Sequence, residues 1–282
     1  MITRNPHGHE DLEIGMVMDG SVMLLLENEQ HTLSKGDIYL INRYQIHSFV
    51  SCSQSPLILA FQINSQLYGN ISRKLTFLRF DNVIKDNNLH RKISAVMTQC
   101  AGLYFNNDDF CGVECTSLVL HMLALLLGGH PYVIVDEREH KTDLINTQRI
   151  NRITDYVAAH FNEKITLEDI AALEGITTYH ASHFIKKTFG ISFQEYLNTV
   201  RFEHAAQLLL QTDLNLLDIC LESGFSSSRY LNKMTEKHFG CSAREFRKNP
   251  KGRILSPVQL PVSDIQVRYS FEKSARYFSE KI

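Results

Sequence analysis

At 282 residues the chain is long enough for two domains of ordinary size. Its content of 44% apolar and 21% charged residues is that of a folded globular protein and excludes a disordered one. A formal net charge of −2 gives no overall attraction to polyanions, so nucleic-acid binding would have to come from a local basic face.

Six cysteines (Cys52, Cys100, Cys111, Cys115, Cys220 and Cys241) include no C-x-x-C pair and read as reduced thiols of a cytoplasmic protein. The opening stretch MITRNPHGHED is too polar for a signal peptide. The apolar run LVLHMLALLLGG (118–129) is too short to span a bilayer and contains His121, so no membrane association is expected.

Residues 1–65 have the texture of short strands broken by turn residues such as Gly36 and Asp37, which suggests a small barrel or sandwich. Within PHGHEDLEIGMVMDG (6–20), His7, His9 and Glu13 share strand parity and would point to one side. From 84 to 130 the spacing turns helical, with Leu89, Ile93, Val96, Met97, Cys100 and Tyr104 on one face. A second helix is expected over 110–128, ended by Gly128 and Gly129. These two helices read equally well as a dimer interface or as a cap on the barrel. DEREHKTDL (136–144) is charged and unpatterned, as expected of an interdomain linker.

Residues 146–248 contain an internal repeat. DIAALEGIT (169–177) returns as DICLESGFS (218–226), and FGISFQEY (189–196) as FGCSAREF (239–246). Each copy predicts a short helix, a left-handed glycine turn at Gly175 or Gly224, and a second helix capped by Thr177 or Ser226. Thr166 with Asp169, Ser192 with Glu195 and Ser242 with Glu245 have capping-box spacing. Helix, glycine turn and capped helix make a helix-turn-helix unit.

On a helical wheel, Ala181, Phe184 and Ile185 face in, while Tyr179, Ser182, His183 and Lys186 face out, with Lys187 beside them. In the second copy Leu231 and Met234 face in. Arg229, Asn232, Lys233 and Glu236 face out at a constant offset, flanked by Ser228 and Lys237. A single polar face is ordinary solvated surface. Two in matching register, each after a glycine turn, suit base edges in the major groove of double-stranded DNA. Between the units, Tyr196, Leu197, Val200, Phe202, Ala205, Leu208 and Leu209 surround most of one helix, which predicts a strut packed on more than one side.

The segments LEDIAALEGIT, FIKKTFGISFQEYL, RFEHAAQLLL, DICLESGFSSSRYLNKM and HFGCSAREFRK resemble, in order, the DNA-binding domain of AraC/XylS-type transcription regulators. The resemblance implies two helix-turn-helix units joined by a long helix in a sequence-specific regulator. An activator is expected, which would contact RNA polymerase, and the apolar helices at 84–130 make a homodimer the expected assembly. Ala181 and Thr235 stand where that family usually has larger apolar residues, and His183 where Arg is common. The N-terminal segment is similar to cupin barrels, whose spacing is met by His7, His9, Glu13 and Gly20, and by Gly36 with His47. His7 lies early in the sequence, so a strand preceding the motif is expected to be missing or very short.

The architecture expected is therefore α+β with two domains. A cupin-like sensing barrel (1–83) and a helical dimerisation or capping segment (84–135) precede the linker (136–145). The double helix-turn-helix domain (146–248) and a tail (249–282) follow. Within the tail, VQLPVSDIQVRYSF (258–271) alternates like a strand. The histidines and Glu13 suit a small polar effector such as a sugar, a divalent metal, or neither. No nucleophile triad or phosphate loop occurs, so an enzyme is not expected. The remaining alternative is a metal-binding cupin, as enzyme or metal-responsive sensor, with an attached DNA-binding domain.

Overall fold

The structure, a computed structural model, describes residues 3–27, 29–53, 56–106, 109–248 and 271–281. Seven strands come first: β1 (Thr3–His7), β2 (Leu12–Asp19), β3 (Ser21–Leu26), β4 (Gln30–Ser34), β5 (Ile38–Ile41), β6 (His47–Ser51) and β7 (Leu57–Ile63). They form two antiparallel sheets, ordered β1-β6-β3-β4 and β5-β2-β7. Side chains alternate across each strand, so one face of β2 and β5 gives Val17, Tyr39 and Ile41 to a core shared with Val22, Leu24, Leu33 and Phe49. The other face of β2 gives Leu12, Ile14 and Met16 to a second core.

That second core is closed by helices. After α1 (Ser65–Gly69), a 3-10 turn (Arg73–Phe77) and β8 (Leu78–Phe80) come α2 (Asn87–Asn106) and α3 (Cys111–Gly129). Then β9 (Tyr132–Ile134) pairs with β8. Ile93, Val96 and Met97 of α2 and Met122, Leu123 and Leu126 of α3 join the sheet's outer face. The apolar run at 118–129 is only part of α3. The whole helix has 19 residues and is long and apolar enough to cross a membrane by length and composition. Here one side of it lies on α2 and leaves Phe110 and Val113 at its N-terminal end exposed.

The expected linker is helical instead. Asp136 caps α4 (Glu137–His160) by accepting from the Glu139 amide, and 136–144 has no apolar stripe because ion pairs attach it to the sheet domain. Arg79 of β8 bonds Glu139 and Asp143 on successive turns of α4.

The second domain begins with the later turns of α4 and continues with α5 (Leu167–Leu173), α6 (Thr178–Phe189), α7 (Phe193–Gln211), α8 (Leu216–Glu222), α9 (Ser228–Phe239) and α10 (Ala243–Lys248). Both capping boxes at Thr166 and Ser192 form, and the Ser242–Glu245 bonds are present. Thr177 caps α6 as its sequence predicts. Ser227, not Ser226, is the N-cap of α9 and makes no side-chain cap bond, because the turn runs one residue longer before the helix starts. Ile153, Val157, Ile170 and Ile185 pack on Phe193, Tyr196 and Leu197 of α7. Ile219, Phe225, Leu231 and Phe246 pack on Phe202, Ala205 and Leu209 of the same helix. Ala181 and Thr235 are both fully buried, and the Thr235 hydroxyl donates to the Leu231 carbonyl, so the smaller inward residues are accommodated.

Of the segment at 258–271, only Phe271 lies within the described residues. It opens a helix, α11 (Phe271–Lys281), whose Phe271 and Phe278 rings sit 5.7 and 5.3 Å from the Phe105 ring of α2.

The two turn glycines are not equivalent. Both have left-handed backbones, with φ +61 at Gly175 and +70 at Gly224. A Cβ at Gly175 would meet nothing within 4 Å, whereas one at Gly224 would lie 2.7 Å from Asn162 Cα and the Phe161 carbonyl oxygen. Gly175→Ala should cost about 1–2 kcal/mol, the left-handed penalty alone. Gly224→Ala should cost at least about 1 kcal/mol more, because overpacking against backbone adds to that penalty. Thermal melts of the two variants check the order, and equal losses would contradict it.

Candidate ligand site and nucleic-acid interface

His7 and His47 are opposite each other in the β1–β6 ladder, with ring centroids 4.2 Å apart. His9 is not on a strand. The chain leaves β1 at His7 and re-enters the sheets at Leu12, so strand parity does not bring His9 to the site. The loop does so instead, setting its ring 5.1 Å from that of His47. One ring nitrogen from each of the three histidines lies within 4.8 Å of the others. β1 is a five-residue strand that ends on His7, the first residue of the motif.

Glu13 projects from the inner face of β2 and is 4% exposed. Its Oε2 is 3.3 Å from His9 Nε2 and accepts from Gln62 at 3.2 Å, while its Oε1 accepts from the Tyr39 hydroxyl at 2.9 Å. Gly15 makes this possible, since a Cβ there would fall 2.1 Å from the Tyr39 ring. Sequence reasoning missed Tyr39 and Gln62, because their contacts with Glu13 are cross-strand and leave no local spacing signal.

Burial pushes the Glu13 carboxyl up, but its bond to His9, the charges of His47 and His9, and the Tyr39 bond outweigh that and bring it to about 2. The histidine tautomers follow from their partners. His9 Nδ1 is 2.9 Å from the Asp11 carbonyl and His47 Nδ1 is 3.0 Å from that of Gln45. A carbonyl oxygen only accepts, so both Nδ1 atoms carry the proton; the neutral His47 ring then keeps its lone pair on Nε2, while His9 Nε2 is turned to the Glu13 carboxylate. The Nε2 atoms of all three rings are buried. Imidazoles fixed through Nδ1–H···O=C beside an ionised carboxylate fit a first-row divalent cation, and the same groups can hydrogen-bond a polar organic ligand.

The α6 face is as its sequence predicts. Tyr179, Ser182, His183, Lys186 and Lys187 are exposed and line one surface hollow. Lys187 also reaches the sheet domain, with Nζ 2.7 Å from a Glu27 carboxylate oxygen. On α9, Ser228, Arg229, Lys233 and Glu236 are exposed. Asn232 departs from the expected outward position. It is half-buried, and its side-chain oxygen accepts from the Ala243 amide and so holds the start of α10. The side chain of Lys237 lies outside the described residues. A cleft of about 500 Å³ separates the sheet domain from α6, with His47 and Phe49 on one wall and Lys187 and Phe189 on the other.

A sensor-type β-domain joined to paired helix-turn-helix units defines a class of two-domain regulators. Residues 2–97 match the AraC-like ligand binding domain family, and residues 170–249 match a helix-turn-helix domain family. Domain by domain, the chain is therefore similar to AraC-type transcription regulators. An uncharacterized HTH-type transcriptional regulator of Staphylococcus aureus strain MRSA252 is 27% identical over 81% of this chain. This chain spans 30% of that relative's length. The melibiose operon regulatory protein of Escherichia coli K12 is 21% identical, covering 86% of this chain and 83% of its own. Among solved structures, ToxT of Vibrio cholerae is 14% identical with TM-score 0.42, covering 88% of this chain and 93% of its own.

The Glu13 environment sets a sign for acid stability. Its pKa falls from 4.5 to about 2 on folding, so the stabilisation is complete above 4.5 and is lost as pH drops through that interval. Glu13→Gln should therefore flatten the fall of the melting temperature between those two pH values. A Gln variant whose melting curve runs parallel to wild type there would contradict the assignment.

Proposed function

We propose that the chain is a sequence-specific, double-stranded-DNA-binding transcription regulator whose N-terminal domain senses a small molecule. The observation that carries this reading is the pair of exposed polar faces on α6 and α9, held by cores that share α7. α7 has 19 residues, about 28 Å at roughly 1.5 Å per residue. That length is of the order of one helical turn of DNA, about 34 Å, which supports two recognition helices reaching successive grooves. Tyr179, Ser182, His183, Lys186 and Lys187 read or position one half-site. Ser228, Arg229, Lys233 and Lys237 serve the other. Asn232 acts there as a structural cap.

Arg229 is the residue best suited to bidentate contact with guanine. With a duplex selected from a random pool, at a stated salt concentration, Arg229→Ala should weaken specific binding by about 1–3 kcal/mol and relax preference at one position. Equal affinity of the wild type for selected and scrambled duplexes would contradict the reading.

The effector in this reading is a small polar molecule, with a sugar supported by the name of the melibiose relative and by the His and Glu lining. The regulator works in the cytoplasm as an activator that recruits RNA polymerase, and it dimerises through the exposed side of α3 around Phe110 and Val113. A second reading, favoured by the backbone carbonyls that hold Nδ1 of His9 and His47, is that the site at His7, His9, His47 and Glu13 takes a divalent metal. A thermal-shift screen separates the two. Ligand at a hundred times its Kd adds about 2.7 kcal/mol, so a rise with Zn²⁺ alone supports metal and a rise with a sugar in chelator supports the first reading.

A further inference from the structure

The histidine site is bolted to the first helix of the DNA-binding domain. Gly8, between His7 and His9, exchanges two hydrogen bonds with one side chain of α4. Its amide donates to Asn151 Oδ1 at 3.2 Å, and its carbonyl accepts from Asn151 Nδ2 at 2.9 Å. The approach is close enough that a Cβ on Gly8 would lie 2.7 Å from Thr147 Cγ2.

A second link runs through Tyr44. Its amide donates to the His9 carbonyl at 2.8 Å, and its own carbonyl accepts from the Thr147 hydroxyl at 2.6 Å. Tyr44 has φ +57, the one non-glycine residue with positive φ among the described residues. Such strain persists only where the surroundings hold it in place, and it gathers at ligand clamps and switches. The neighbouring Gln45 carbonyl accepts from His47 Nδ1. All three histidines therefore sit on segments that end on two residues of α4.

Thr147 and Asn151 are four apart and share one face of that helix. Ile153 and Val157 enter the core of the first helix-turn-helix unit, against Ile185 of α6 and Tyr196 of α7. α4 runs unbroken between the two sets. We propose that the His7-Gly8-His9 peptide and Tyr44 form a relay, through Asn151 and Thr147, by which occupation of the histidine site changes the pose of the DNA-binding domain. The proposal rests on the metal reading above. Drawing three imidazoles onto one ion moves the peptide between them, and that peptide cannot move without α4.

The test uses the full chain, Zn²⁺ as probe and a duplex selected from a random pool. Zn²⁺ should change wild-type DNA affinity by a factor within the ordinary coupling range, about 5- to 150-fold, and DNA should change Zn²⁺ affinity by the same factor. Asn151→Ala removes both bonds to Gly8, and Thr147→Val removes only the bond to Tyr44. Each variant, shown folded by its melt, should bind Zn²⁺ as wild type does without DNA and lose most of the coupling factor. Zn²⁺ binding with full coupling in both variants overturns the relay and leaves the metal reading intact, as does binding with no effect on DNA affinity in the wild type. Failure of the wild type to bind Zn²⁺ removes both.

Discussion

The DNA-binding half depends on one helix being buried from two sides. α7 gives Phe193, Tyr196 and Leu197 to one core and Phe202, Ala205 and Leu209 to the other. Because interiors are close-packed, a helix gripped by two cores cannot rotate against either without opening voids. The separation and relative orientation of α6 and α9 are then set by the length and twist of α7 rather than by a flexible connection. Polar ties reinforce it. Arg201 of α7 donates to the carbonyls of Phe161 and Glu163 ahead of the first unit, and Asn198 donates to the Tyr230 hydroxyl on α9.

α4 does for the two domains what α7 does for the two units. Its first turns are held to β8 by Arg79, its middle to the histidine peptide by Thr147 and Asn151, and its last turns lie in an apolar core. Charge, hydrogen bonding and apolar packing thus succeed one another along one rigid rod. Exposed ion pairs such as Arg79–Glu139 contribute little each. The first section is therefore the most easily displaced, while the last is fixed. The Lys187–Glu27 contact adds a direct bridge from the sheet domain to the face proposed to meet DNA.

What was legible in the sequence is what local chemistry decides. Capping boxes at Thr166 and Ser192 and the glycine turns at Gly175 and Gly224 are specified within a few residues, and each forms. The two-sided burial of α7 was legible because apolar residues surround it. The N-terminal half of α4 was not, since ion pairs attach it and leave no apolar period to read. His7, His9, Glu13 and His47 were found as a set by spacing, although His9 arrives from a loop and not by strand parity. Asn151 and Thr147 were illegible. Each is an ordinary polar helix residue, and their partners Gly8 and Tyr44 lie more than a hundred positions away in the chain, at separations of 143 and 103. Asn232 had the right type and register for a base contact, and only the position of the Ala243 amide shows its other role.

The central claim is that both units, spaced by α7, read successive major grooves from one side of the duplex. Hydroxyl-radical footprinting of the full chain on its selected duplex tests it most directly. The account predicts two protected patches on the same face, about 10 base pairs apart, the second lost selectively in Arg229→Ala. A single patch, unchanged by that substitution, would contradict it.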